Sequence, residues 1–369
     1  PYPLPHSGRR VWRQAILSPS AQPVIQRLTT GGSVTAKSTQ GGARQTAVSD
    51  RAVELIPDLA YHRGFSAQSA GEVLCLTVGG VTTRRSGFRP EEVATLKDRY
   101  GIFSADTTAP AAFEIQVARV RQRSFLAVIE AEEFYRVDMR WESGSLLACS
   151  YEWAGWIDQA EGRGGLLLAR GTRDDLKAFD RSLENFLRVV YAHATIARGG
   201  FLLHSAGLVR DGRAYLFFGP SGSGKTTVTT LTPEALILSD DLTMVVRAGD
   251  GAYQACSVPF RGLYAPMPDS ASMWPVAGFF RLVQDSCDRL VSVDRSRAIG
   301  ELVGSLPFVT ERSEMAGDVI DVVAAATSKI PVFRLHFRND RTFWDAIAEG
   351  CPGATFGRLV DDFPAVGGT

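Results

Sequence analysis

The amino-acid sequence predicts a mixed α/β protein in which an N-terminal α+β, strand-rich domain precedes an α/β core. Three patterns support this prediction. Between residues 50 and 171, several short segments alternate apolar and polar residues, which indicates strands. Residues 172–198 form one long amphipathic segment, which predicts a helix that links the two parts. Between residues 199 and 350, predicted strands and helices are interleaved, as is typical of an α/β fold.

The overall composition is that of a globular protein without a charge bias. The chain has 369 residues, of which 45% are hydrophobic and 22% charged, and its formal net charge is zero. This balance gives no support for a nucleic-acid or anionic-membrane partner, and no apolar run reaches the roughly 20 residues that span a bilayer. The five cysteines are scattered without a CxxC pair, which argues against a zinc site or a disulfide framework. We therefore predict a cytoplasmic protein.

The two ends of the chain differ from its middle. Residues 1–49 carry six basic residues and no acidic one, with several Pro, Gly, Ser and Thr. This composition predicts a disordered leader, or sequence upstream of the true start. A transit peptide is the alternative, since such peptides are rich in Arg and Ser and poor in acids. Residues 351–369 are predicted to be a C-terminal tail.

The strand-rich part begins with a helix and continues with strands. Acidic residues in the first turn and a closing glycine predict a short helix over residues 89–101. Trp141, Trp153 and Trp156 lie in the strands that follow. We expect them to pack in the core, with an aromatic ligand platform as the alternative. Alternating segments predict strands over residues 112–120, 124–141 and 144–153.

The linking helix and the second part show clear local signals. Apolar residues recur at spacings of three and four along 172–198, Thr172 can cap the start, and Gly199–Gly200 can end the helix. Two apolar strands flank Asp211–Gly212, a strong hairpin signal. Further strands are predicted at 234–241, in a hairpin over 242–256, and at 276–284 and 330–338, and further helices at 296–306, 316–328 and 341–350.

A glycine-rich segment follows the second strand of the first hairpin. It matches G-x-x-x-x-G-K-[ST] at every fixed position and is followed by a further threonine, Thr227. Glycines let the backbone wrap phosphate oxygens, Lys225 places a cation on the terminal phosphates, and the Thr226 hydroxyl can bind Mg²⁺. The alternative is a chance glycine turn, but a strand before it and a helix after it favour a nucleotide site. The predicted nucleotide-binding residues are Gly219, Ser221, Gly222, Ser223, Gly224, Lys225, Thr226 and Thr227.

Two aspartates, Asp240 and Asp241, end the strand that follows the loop. Adjacent carboxylates next to a Mg²⁺–nucleotide can divide the work, because one can hold the metal while the other accepts a proton from an attacking hydroxyl. The alternative is that one of them only caps the following turn. The sequence lacks the LSGGQ-like signature expected of an ABC-type ATPase.

The segments LLHSAG, DGRAYLFFGPSGSGKTT and LILSDD together resemble the catalytic domain of HPr kinase/phosphorylase. FFGPSGSGKTT also resembles the nucleotide loop of ATP-dependent phosphoenolpyruvate carboxykinase, and the chain resembles HPr-kinase-related proteins found beside bacterial peptide-modification genes. The resemblance is specific over residues 200–245 and weaker up to 350. It implies a P-loop kinase core of the HPr-kinase/carboxykinase-like type, and a possible homo-oligomer.

The resemblance also implies roles for individual residues. Lys225 and Thr226 would bind nucleotide and metal, Asp241 would be the metal-side carboxylate and Asp240 the base. His204 would lie beside them, although a lone histidine in an apolar strand is more often a core residue. Arg261 is a candidate to stabilise charge on the γ-phosphate, with a solvated surface charge as the alternative.

Three more cations have weaker signals. Arg334 and Arg338 share one face of a strand, so they either reach substrate or phosphate or form salt bridges. Lys329 is expected to complement the dipole at the end of a helix. Three further histidines, at 62, 193 and 336, have no metal-like spacing.

The sequence therefore predicts an ATP- and Mg²⁺-dependent kinase. Its acceptor would be a serine-type hydroxyl on an unknown peptide, protein or small molecule. A second hypothesis is a nucleotide-binding accessory protein of a peptide-modification system, which changes shape with ATP and phosphorylates nothing. A third is a carboxykinase-like enzyme, which would need a dense cluster of cations that the sequence does not show.

Overall fold

A computed structural model describes residues 57–64, 72–121, 124–126, 136–169, 176–260, 268, 270–310 and 315–351. It confirms the mixed α/β class, with two large, mostly antiparallel sheets. The predicted leader, Thr172, Arg261 and the tail beyond Cys351 lie outside the described residues.

Helices and strands alternate irregularly along the described parts of the chain. The helices are α1 (Leu59–Gly64), α2 (Pro90–Tyr100), α3 (Leu176–Ile196), α4 (Lys225–Thr230), α5 (Arg295–Val303), α6 (Ala316–Thr327) and α7 (Phe343–Gly350). The strands are β1 (Leu74–Val78), β2 (Val81–Ser86), β3 (Ser104–Ala105), β4 (Phe113–Val120), β5 (Asp138–Glu142), β6 (Ser145–Cys149), β7 (Trp153–Asp158), β8 (Arg163–Ala169), β9 (Phe201–Arg210), β10 (Arg213–Phe218), β11 (Leu236–Ser239), β12 (Leu242–Arg247), β13 (Tyr253–Cys256), β14 (Met273–Gln284), β15 (Arg289–Ser292) and β16 (Val332–Phe337).

The first sheet has the strand order β3-β1-β2-β4-β8-β7-β6-β5. Among the described strand pairs of this sheet, β2–β4 and β4–β8 are parallel and the others antiparallel. The segment predicted as one strand over 144–153 is instead two strands, because the chain turns between Cys149 and Trp153, where Ser150 N–H donates to the Trp153 carbonyl over 2.8 Å. Of the strand predicted over 124–141, residues 127–135 lie outside the described residues; β5 covers its end, whereas residues 124–126 are not in a strand.

The second sheet has the order β10-β9-β12-β13-β14-β16-β15, with β11 also paired to β9 and β10 also paired to β14. Strands β10, β14 and β16 run parallel, so their carboxyl ends lie at one edge. One face packs against α5 and α6 together with α3, and the other packs against α4 and α7. The strands predicted in this region and its two hairpins are confirmed, whereas β15 was not predicted.

The linking helix is confirmed as α3, and it places its apolar stripe in the core shared by both sheets. Gly199 ends it with a φ of +74°, a conformation that favours glycine.

Core packing of the tryptophans is confirmed for Trp153 and Trp156, which are buried. Trp153 meets Phe186 of α3 edge to face, at 5.8 Å between ring centroids. Within the described part of the chain, no helix is long and apolar enough to span a membrane.

His193 of α3 makes the stability of the fold sensitive to acid. It is 2% exposed, and burial lowers its pKa from 6.5 to about 4. An unfolded chain therefore binds this proton at a higher pH than the folded chain, and the folded state loses stability as pH falls from 6.5 towards 4. The linkage predicts a loss of about 2 kcal/mol at pH 5 relative to pH 7 from this residue. We expect His193→Phe to remove that part of the pH dependence of urea unfolding. If the free energy of unfolding of the variant fell as much between pH 7 and pH 5 as that of the wild type, this explanation would be contradicted.

Candidate functional site

The β9–β10 hairpin brings the glycine-rich loop to the edge of the second sheet. Its turn residues Asp211 and Gly212 both have positive φ, +49° and +72°, which suits the twist of a two-residue hairpin. The register pairs Phe218, the last residue of β10, with Ser205 of β9. The loop that follows Phe218 therefore begins beside His204, at the edge where β10, β14 and β16 end.

The loop backbone requires glycine at two positions. Gly224 has a φ of +110°, and a Cβ there would lie 2.4 Å from Cζ of Phe337. Gly219 has a φ of +150°, and a Cβ there would lie 2.8 Å from Ser223 Oγ. Gln284, at the end of β14, donates from Nε2 to the Gly222 carbonyl over 3.0 Å and holds the loop from its other side. The loop is thus a bare backbone turn, as a phosphate cradle needs.

Lys225 opens α4 and turns back over the loop. Its Nζ donates to the Gly219 carbonyl over 2.9 Å and to the Pro220 carbonyl over 3.2 Å. The residue is 9% exposed, and burial lowers its pKa to about 8. Ser223 Oγ is buried and has no hydrogen-bond partner among the described residues. A buried ammonium and an unsatisfied hydroxyl in one loop suit a phosphate ligand.

The remaining predicted loop residues lie around this turn. Ser221 and Gly222 are exposed, while Thr226 and Thr227 are half-buried in the first turn of α4. The hydroxyl of Thr226 and the nearby carboxylates are oxygen donors of the kind that Mg²⁺ prefers. Among the described residues, no group of three or more His, Cys, Asp or Glu is placed to hold a metal ion by itself.

The aspartate pair lies at a bend beside this loop. Strands β11 and β12 pair with β9 one after the other, so Asp240 and Asp241 interrupt a single run along β9. As predicted, one strand ends at the aspartate pair and the next begins at Leu242. The turn is capped by Ser239, whose Oγ accepts from the N–H groups of Asp241 and Leu242 over 3.2 and 3.1 Å.

Asp241 is held by two side chains. Arg188 Nη1 donates to its Oδ2 over 2.9 Å, and His204 Nδ1 lies 3.2 Å from its Oδ1. Burial alone would raise the pKa of Asp241, but Arg188 and His204 hold it well below its usual range. Asp241 is therefore ionised at neutral pH. His204 lies beside it, as predicted from the resemblance, rather than in the hydrophobic core.

Arg188 belongs to a chain of ion pairs that leads away from the loop. Its Nη2 donates to Glu184 over 2.6 Å, one turn earlier on α3. Glu184 also binds Arg99 of α2, which contacts Asp180 as well. These ion pairs therefore connect α2 to Asp241. The sequence prediction missed Arg188, although Glu184 and Arg188 are charged residues four apart on the apolar stripe of α3, and that is a usable signal.

The other predicted residues have mixed outcomes. Asp240 is 7% exposed at the same bend as Asp241. Salt bridges are confirmed for Arg334, which pairs with Glu301, and for Arg338, which pairs with Asp288. Lys329 lies beyond the end of α6, where its Nζ donates to the Gly251 carbonyl over 2.7 Å and ties down the β12–β13 hairpin.

Comparison with protein-family models gives a match for the second part of the chain. Residues 172–350 match the model of a family described as the SynChlorMet cassette protein ScmC. The match covers just under half of the chain, from the start of the linking-helix region to the end of α7. No curated protein matches the chain.

Proposed function

We propose that this protein is an ATP- and Mg²⁺-dependent kinase that transfers the γ-phosphoryl group to a hydroxyl, serine-type, on a peptide, protein or small molecule. One observation carries the proposal: the loop Gly219–Gly224 with Lys225, and the pair Asp240–Asp241, lie at the same edge of one sheet. They reach it from separate segments, on either side of β9.

In the proposed mechanism, each group at the edge has a separate task. The loop N–H groups and Lys225 bind the phosphates, and Lys225 offsets negative charge as the phosphoryl group moves. Asp240 accepts the proton of the attacking hydroxyl, because a buried carboxylate near the loop can act as a general base. Asp241, kept ionised by Arg188, would be the carboxylate that holds Mg²⁺. Mg·ATP supplies the transferable phosphoryl group when it is bound.

The fit of this ligand rests on the loop itself. Side chains at Gly219 or Gly224 would fill the turn, and Ser223 Oγ is a buried donor without a partner in the described residues. Lys225 Nζ donates hydrogen bonds to two carbonyls of its own loop. A bound phosphate would replace these hydrogen bonds with stronger ones, because both partners would then be charged.

A nucleotide-responsive accessory protein is the second candidate function, and the ion pair between Arg188 and Asp241 favours it. A metal that binds Asp241 directly would have to compete with Arg188 for the carboxylate. Such competition would shift Arg188 and, through Glu184, the contact with Arg99 on α2. A change of shape with nucleotide would follow without any phosphoryl transfer.

The nucleotide site is tested by Lys225→Ala, with Lys329→Ala as the matched control. We expect Lys225→Ala to weaken Mg·ATP binding by about 10- to 100-fold, since charge-assisted hydrogen bonds contribute roughly 1.5–3 kcal/mol. Lys329 also donates to a backbone carbonyl but lies away from the loop, so its variant should bind as the wild type does. Isothermal titration measures both affinities. Equal Mg·ATP binding by the wild type and Lys225→Ala would remove the basis of the proposal.

A further inference from the structure

Three arginines converge on one carboxylate close to the start of the glycine-rich loop. Arg281 Nη1 lies 3.4 Å from Glu301 Oε1, and Arg297 Nε lies 3.1 Å from the same oxygen. Arg334 donates to that oxygen as well, from Nε over 3.1 Å and from Nη2. We call Arg281, Arg297, Arg334 and Glu301 the arginine cluster. No other carboxylate among the described residues pairs with these arginines.

The arginine cluster has more positive charge than its carboxylate can balance. Three guanidiniums against one carboxylate leave a surplus of two positive charges, and arginine does not lose its proton at physiological pH. The arginine side chains are 32%, 55% and 26% exposed, in chain order, whereas Glu301 is 8% exposed. Most of the guanidinium N–H groups therefore remain available on the solvent side. A planar fork of such donors matches the oxygens of a carboxylate or a phosphate.

The strand register places the cluster next to the loop. Arg281 pairs with Phe218, the residue before Gly219, and Arg334 pairs with Arg281 on the next strand. Directly paired residues on parallel neighbours point to the same face, and Phe218 packs on the face covered by α5. The chain after α5 also reaches the edge, because His204 N–H donates to the Ser305 carbonyl over 2.9 Å.

The arginine cluster and the aspartate pair therefore flank the loop from two sides. Arg281 is three strands away from the β11–β12 bend, which corresponds to roughly 14 Å between backbones at the usual strand spacing. An extended peptide covers this span with about four residues, and fewer once the arginine side chains reach inwards. A hydroxyl near Asp240 and an acidic group at the cluster thus fit one short acceptor segment.

We propose that the arginine cluster is an oxyanion-binding subsite for the acceptor, which carries a carboxylate or phosphate a few residues away from the hydroxyl that is phosphorylated. The role of the ligand as phosphoryl acceptor rests on the proposed kinase function. The binding of an oxyanion at the arginine cluster does not depend on that function. Arg281 and Arg297 hold the acidic group, and Glu301 keeps the guanidiniums together in the absence of ligand.

The test uses the full-length chain with Lys225→Ala, so that the loop contributes little to anion binding. Inorganic phosphate and succinate are titrated separately by calorimetry into this protein and into versions that also carry Arg297→Gln or Arg281→Gln with Arg297→Gln. We expect the double change to weaken binding of at least one anion by about tenfold or more. Arg181→Gln is the control, because Arg181 is 45% exposed on α3 and pairs with one carboxylate, Glu152.

The outcomes separate the two proposals. Weaker binding of phosphate alone identifies an acceptor that carries a phosphate, and weaker binding of succinate alone identifies one that carries a carboxylate. Either result supports the subsite. Unchanged binding of both anions in the double variant, or no binding to the parent protein, overturns it. Arg297 is the most exposed arginine of the cluster, so Arg297→Gln is expected to fold like the parent protein. Weaker anion binding by this single variant would show that the loss in the double variant is not caused by misfolding. Mg·ATP binding to the chain with intact Lys225 is measured in parallel, so a failed kinase and a failed subsite give different results.

Discussion

Replacing Asp240 with asparagine is expected to lower ATP turnover by about 10²- to 10⁴-fold, the usual contribution of a positioned general base. The amide has nearly the same shape as the carboxylate but cannot accept the proton of an attacking hydroxyl or water. Asp240 is buried at the bend beside the loop, so this exchange preserves the local packing. Mg·ATP binding should remain close to that of the wild type, because the loop and Lys225 carry the phosphate contacts. The two quantities are measured by calorimetry and by release of ADP.

Asp250→Asn provides a control for the Asp240 experiment. Asp250 lies in the β12–β13 turn, where its carboxylate accepts from the Ala252 N–H over 2.9 Å. Its amide variant should bind and turn over ATP like the wild type. If Asp240→Asn loses binding and turnover equally, Asp240 acts on the nucleotide or metal instead of on the proton. If it loses neither, the base lies elsewhere.

Replacing Arg188 with methionine is expected to destabilise the protein by about 3–5 kcal/mol, as is typical when one partner of a buried ion pair is removed. Arg188 is the cation that holds Asp241, and it is 8% exposed. Methionine leaves Asp241 buried without its guanidinium partner, so the pKa of Asp241 should rise. Glu184 keeps Arg99 as a second partner, which limits the loss on that side. Urea unfolding at pH 7 measures the change.

Arg181→Met is the matched control for Arg188→Met, since both residues lie on α3, seven positions apart. Arg181 pairs with Glu152 over 2.6 Å, but its side chain is 45% exposed. An exposed pair contributes about 0–1 kcal/mol, so this variant should unfold almost as the wild type does. Similar losses of stability in the two variants would show that Arg188 does not hold a buried charge in place.

The fold was largely predictable where local signals decide it. The Asp211–Gly212 turn and the loop Gly219–Gly224 each depend on consecutive residues whose chemistry allows few alternatives. The turn between β6 and β7 contains neither Gly nor Pro, so alternation alone merged the two strands. The β1–β2 hairpin was missed, although the adjacent glycines 79 and 80, both with positive φ, mark its turn.

The candidate site was predictable only in part, because some of its residues meet through distant pairings. Lys225 and Asp240–Asp241 stand out in the sequence as motif residues. Arg188 reaches Asp241 only because α3 packs against β9, and the two residues are 53 positions apart in the sequence. The arginine cluster likewise depends on the register that places Arg281 beside Phe218. The charged pair Glu184 and Arg188 on the apolar stripe of α3 marks Arg188 in the sequence, but no local pattern identifies Asp241 as its partner or gives the register behind the arginine cluster.

The central claim is that this chain moves the terminal phosphoryl group of ATP, and the release of ADP from Mg·ATP tests it most directly. Purified wild-type chain and Lys225→Ala are incubated with Mg·ATP, and ADP formation is followed over hours, with EDTA added to a parallel sample. The kinase proposal predicts slow ADP formation by the wild type even without an acceptor, since water can replace the hydroxyl. It also predicts that Lys225→Ala and the EDTA sample form none above background. Tight binding of Mg·ATP with no ADP formed by the wild type would contradict the claim and favour a nucleotide-responsive accessory protein.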